Sequence, residues 1–88
     1  MNPYFGKEYT TNFVFVEYEK VSLDKEARKF ISRFYGSNAL WSQNKSYYQI
    51  AGTKEDVNIF VDYLQNECGL RPNRTLFGED AMLAMMES

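Results

Sequence analysis

At 88 residues, 44% of them hydrophobic and 17% aromatic, the chain holds too much apolar material for a disordered polymer and enough for one core. A net charge of −2 excludes broad electrostatic attraction to nucleic acid or an anionic membrane, and is too small for a mimic of a phosphate array. No apolar run is long enough to span a bilayer, residues 1–11 lack the apolar stretch of a signal peptide, and Cys68 is the sole cysteine. A soluble, cytoplasmic protein without intrachain disulfides is therefore expected, as one domain over residues 1–88.

Residues 1–11 contain Pro3, Gly6, Tyr4, Phe5 and Tyr9 and read as an extended arm able to dock by its rings. Residues 12–20 alternate as a strand, with Val14, Val16 and Tyr18 on one side and Phe13, Phe15 and Glu17 on the other. Ser22 is placed to cap a helix, Asp24 and Glu26 suit its first turn, and Leu23, Ala27, Phe30, Ile31 and Phe34 recur at helical spacing until Gly36.

Residues 39–42 and 47–51 read as a strand pair joined by Gln43-Asn44-Lys45-Ser46. Thr53, with Asp56 three residues on, opens a second helix whose buried stripe is Val57, Phe60, Val61, Leu64 and Cys68, and Gly69 ends it. Residues 74–77 form a short fourth strand behind Pro72, and residues 79–87 a short helix carrying Met82, Leu83, Met85 and Met86.

The order β-α-β-β-α-β predicts an α+β fold of the split βαββαβ, ferredoxin-like kind. Two helices would cover one face of a four-stranded antiparallel sheet, with the first and third strands central, and a short C-terminal helix would be added. Val14, Val16, Tyr48 and Ile50 would face the helices. Phe13, Phe15, Tyr47 and Gln49 would occupy the opposite, open face. A large bare apolar face is rare on a monomer, so the arm, the tail helix or a second copy of the chain is expected to cover it.

Catalytic chemistry finds little to work with. Histidine is absent, which removes the usual general base near neutral pH, the commonest zinc ligand and every Ser-His or Cys-His pair. Cys68 falls on an apolar helical stripe, where a thiol is inert. The carboxylates form no compact metal-binding motif and no glycine-rich phosphate loop occurs. No catalytic residue, cofactor or metal is expected. Lys25, Lys29 and Arg33 repeat on one helical side as a basic stripe, suited either to an acidic partner or simply to solvent.

Lys45-Ser46-Tyr47-Tyr48-Gln49-Ile50-Ala51-Gly52 resembles the longer signature of the RNA-recognition-motif family, and Val14-Phe15-Val16 the start of its shorter one. That resemblance implies Phe15 and Tyr47 as rings that stack bases. Gln49 and Gly52 stand where the family has aromatics, Ser46 replaces a glycine, and Glu17 and Glu19 add negative charge along the path of a phosphate backbone.

The leading expectation is a small non-catalytic protein-binding module, a regulator or inhibitor of the kind phages encode to block a host protein. Its contact residues would be Phe13, Phe15, Trp41, Tyr47, Met82, Met85 and Met86. Another protein is the expected partner. Binding of RNA or single-stranded DNA, and self-association into a homodimer, stand as alternatives.

Overall fold

A computed structural model describes residues 12–26 and 37–87. They form an α+β structure with a four-stranded antiparallel sheet and three helices. The strands are β1 (Phe13–Glu19), β2 (Leu40–Gln43), β3 (Tyr47–Thr53) and β4 (Arg74–Phe77), in the order β2-β3-β1-β4. The helices are α1 (Lys20–Asp24), α2 (Lys54–Cys68) and α3 (Gly78–Glu87). The arm at residues 1–11 lies outside the described residues, as do Ala27, Phe30, Ile31, Phe34 and Gly36 of the first helical stripe.

Register explains the two faces. In β1, Val14, Val16 and Tyr18 stand opposite Gly52, Ile50 and Tyr48 of β3, while Phe13, Phe15 and Glu17 stand opposite Thr53, Ala51 and Gln49. The first set packs with Leu23 of α1 and with Val57, Phe60 and Leu64 of α2 into the larger core. Alternation along β1 therefore sorts its residues as the sequence predicts, because a strand has a side-chain period of two.

Helix α2 is capped at both ends. The Thr53 hydroxyl oxygen accepts from the Asp56 backbone N–H at 3.3 Å and donates to the Asp56 carboxylate at 2.9 Å. At the other end Gly69 adopts φ 69°, a left-handed conformation that suits glycine. The Gly69 N–H bonds the Gln65 carbonyl at 3.2 Å and the Leu70 N–H bonds the Leu64 carbonyl at 2.9 Å. The hairpin between β2 and β3 is held by Asn44, whose side-chain oxygen accepts from the Ser46 and Tyr47 N–H groups, both at 2.8 Å.

One expectation is corrected. Helix α1 begins at Lys20 and not behind a Ser22 cap, and its flanking Glu19 makes no side-chain capping bond. The Lys20 N–H is satisfied instead by the Ser46 carbonyl at 2.8 Å, so the hairpin loop supplies what a capping side chain would have done. The second face of the sheet is covered by the tail helix, one of the three covers expected for it. Helix α3 packs on β1 and β4, and Ala81 and Met82 join Phe13, Phe15 and Ala51 in a second core flanked by Leu76, Ala84 and Met85. Phe13 is 2% exposed and Phe15 1%. Gly78, at φ 59°, lets the chain turn directly from β4 into α3, which brings the tail back over the sheet.

Candidate functional site

Helix α3 covers only part of the second face. Beyond it a polar rung crosses all four strands, since Ser42, Gln49, Glu17 and Arg74 are register neighbours. The Ser42 hydroxyl donates to the Gln49 side-chain oxygen at 3.4 Å, and the Gln49 amide donates to Glu17 at 3.1 Å. Arg74 Nε lies 3.5 Å from the other Glu17 oxygen. Glu17 is only 7% exposed, and a buried carboxylate requires such partners. The Arg74 guanidinium also lies 5.6 Å from the centroid of the Phe15 ring, within cation–π range.

Between this rung and the end of α3 lies a cleft of about 230 Å³. Phe15, Ala51, Leu40 and Met85 supply its apolar lining, Ser42 and Gln49 its polar lip, and Trp41 of β2 borders it. No charged side chain lines it. Leu40, in the edge strand β2, is 59% exposed beside it, and Met86 on α3 is 64% exposed. Leu83, one helical turn before Met86, is exposed as well.

Of the residues that the sequence singles out, Phe15 and Met85 converge on this cleft, whereas Trp41 borders it from β2 but stands opposite Ile50 and packs beside Tyr48 against the larger core. Phe13 and Met82 are buried beneath and within α3, so they support the site without presenting themselves. Met86 points to solvent. Tyr47 is half-buried on the same sheet face but beyond the rung, opposite Glu19. The pair Phe15 and Tyr47 therefore forms no open stacking platform, because α3 and Arg74 occupy the space over Phe15. Lys25 is exposed, while Lys29 and Arg33 of the basic stripe lie outside the described residues. Leu40, Ser42 and Gln49 were not singled out as contacts. The alternation Leu40–Ser42, which sets both on the Phe15 face, was the signal that could have found them.

A second hollow, of about 430 Å³, is lined by Glu19, Lys20, Val21, Asp24, Lys45 and Ser46. Two of its charges, Lys20 and Asp24, engage each other and their neighbours. Lys20 Nζ donates to Gln43 at 2.5 Å, lies 3.5 Å from Asp24 and sits 4.6 Å above the Tyr48 ring. The Tyr48 hydroxyl donates to Asp24 at 2.5 Å. Desolvation, reinforced by the hydrogen bond to Asp24 and opposed by Lys20, holds the Tyr48 hydroxyl above its ordinary pKa. Desolvation would lower Lys20, but its contacts with Tyr48 and Asp24 outweigh that and raise it. This cluster fastens α1 to the hairpin.

The Tyr18 hydroxyl is buried and has no hydrogen-bond partner among the described residues. Its pKa is raised by burial, and further by the charge of Asp62. Cys68 is half-buried and packs against the larger core. Among the described residues no group of three or more His, Cys, Asp or Glu is arranged to hold a metal ion, and no helix is long and apolar enough to cross a membrane. Comparison of the chain with protein-family models, curated proteins and solved structures finds no match.

Proposed function

We propose that this chain is a small, non-catalytic protein-binding module, a cytoplasmic regulator or inhibitor that acts by occupying a surface of a target protein. The cleft beside α3 is the observation that supports this reading. At about 230 Å³ it falls below the roughly 300–1,000 Å³ usual for small-molecule sites. Its uncharged lining and the exposed Leu40 within it suit one anchoring side chain of a partner within a modest apolar contact.

We also infer the split βαββαβ, ferredoxin-like arrangement. The central positions of β1 and β3 agree with it, and the connection from β1 to β2 that would complete it runs through residues 27–36. A phage-type accessory role is the biological setting such a module would fit.

The test is capture from extract of the native host by the intact chain and by Leu40→Ser. Loss of one specific partner with Leu40→Ser, at unchanged thermal stability, supports the reading. Equal capture by both proteins refutes the cleft as the binding site.

A further inference from the structure

The polar lip of the cleft carries an amide whose orientation is fixed. Gln49 stands between Glu17 and Ser42 in the rung and also lines the cleft. Its side-chain nitrogen donates to the Glu17 carboxylate at 3.1 Å. A carboxylate only accepts, so the nitrogen is held towards β1 and the oxygen towards β2. There the oxygen accepts from the Ser42 hydroxyl at 3.4 Å.

A primary amide has two N–H donors and two acceptor lone pairs. These two bonds use one of each, and the Gln49 side chain makes no other hydrogen bond among the described residues. One donor and one acceptor are left at the mouth of an apolar hollow. Their complement is the N–H and C=O of one extended residue, which point to the same side of its chain.

The surroundings select a neutral group of that kind. Glu17 stands directly behind the Gln49 nitrogen, and its counter-ion Arg74 is half in solvent. A carboxylate brought to Gln49 meets a negative charge before a positive one. A nucleobase needs a ring face to stack on, and Phe15, the ring in the cleft wall, is 1% exposed. Leu40 and Met85 provide aliphatic walls instead.

We propose that the cleft takes one aliphatic side chain from an extended segment of a partner protein, and that Gln49 pairs with the main-chain N–H and C=O of the same residue. The proposal rests on the protein-binding reading and names the chemistry that reading leaves open. Burial of the side chain supplies the affinity, and Gln49 sets the position of the segment.

The probe is N-acetyl-leucine N-methylamide, titrated into the intact protein and followed by nuclear magnetic resonance at the Gln49 side-chain amide. That signal is expected to move, and the glycine analogue, which lacks the side chain, should leave it in place. The depsipeptide analogue, with oxygen where leucine has its N–H, should bind about three- to tenfold more weakly, in keeping with one neutral hydrogen bond. Gln49→Met keeps the length of the side chain and removes both polar atoms, so it should bind the two leucine probes equally. Since it also takes a donor from buried Glu17, the comparison is repeated with Glu17→Gln present, where the same equality is expected.

Equal binding of amide and depsipeptide by the parent protein, a preference that survives Gln49→Met, or no response at Gln49 to any probe would overturn the assignment. Tighter binding of uridine than of the leucine amide would overturn the choice of a peptide. The protein-binding reading is tested separately by capture with Leu40→Ser, so the failure of one is distinct from the failure of the other.

Discussion

The two faces of the sheet share a central strand yet are finished differently. The face under α1 and α2 is apolar across β1 and β3, with Val16, Ile50, Val57, Phe60 and Leu64 almost wholly removed from water. The face under α3 is apolar only as far as Phe15 and Ala51, then changes to the rung Ser42–Gln49–Glu17–Arg74. A fifteen-residue helix covers the first face and a ten-residue helix the second. The difference teaches that the cleft arises from incomplete coverage: where the shorter helix ends and the polar rung has not begun, apolar side chains are left lining an open hollow.

The largest effect that distinguishes the faces should come from Phe60→Ala, which empties the middle of the fully covered core. A loss of about 3–5 kcal/mol in chemical denaturation is expected. Met82→Ala, the corresponding cut on the α3 side, should cost about 2–3 kcal/mol, because a partly covered core relaxes more readily around a lost side chain. Equal losses would show that the two faces are equally rigid and would remove the contrast.

Arg74→Ala should cost about 1 kcal/mol, since Arg74 is half exposed and its pairing with Glu17 is screened by water. The loss should shrink when Glu17→Gln is present as well, because no buried charge is then left without its partner. A double-mutant cycle by urea denaturation measures this.

Tyr18→Phe sharpens the comparison from the other direction. The hydroxyl is buried with no partner among the described residues, so its removal should stabilise the protein by up to about 1 kcal/mol. Its raised pKa means that the folded state keeps the proton where the unfolded state releases it. Stability contributed by that group is complete below the ordinary tyrosine pKa of about 10 and falls as pH rises beyond it. Melting curves between neutral pH and strongly alkaline pH should fall less steeply for Tyr18→Phe than for the parent. The smallest effect belongs to Leu40→Ser, which should alter stability by less than about 0.5 kcal/mol because its side chain is largely in solvent.

Much of the larger core was legible in the sequence because its signals are local. Alternation in β1, the Thr53–Asp56 cap, the spacing of Val57, Phe60 and Leu64, and the Gly69 stop each act within a few residues. The start of α1 was not legible, since its first N–H is satisfied by the carbonyl of Ser46, distant in the chain. The fate of Phe13 and Phe15 was legible only as a need for cover. Arm, tail and second copy all met that need, and the positive φ at Gly78 that returns α3 to the sheet is a tertiary outcome. The site was half legible. Phe15 and Met85 could be named from their types, but the cleft that joins them depends on the length of α3 and the register of β2 against β3.

Burial of every residue from Phe13 to Tyr18 has a consequence for how this protein can vary. Since β1 contributes to both cores, a change on either side of the strand is felt through the shared backbone, and melting is expected as one cooperative transition. Sequence drift should therefore be least tolerated along β1 and easiest along β2, whose four residues are mostly bathed by solvent. The sheet's margin can change while the strand that integrates its two cores stays constant.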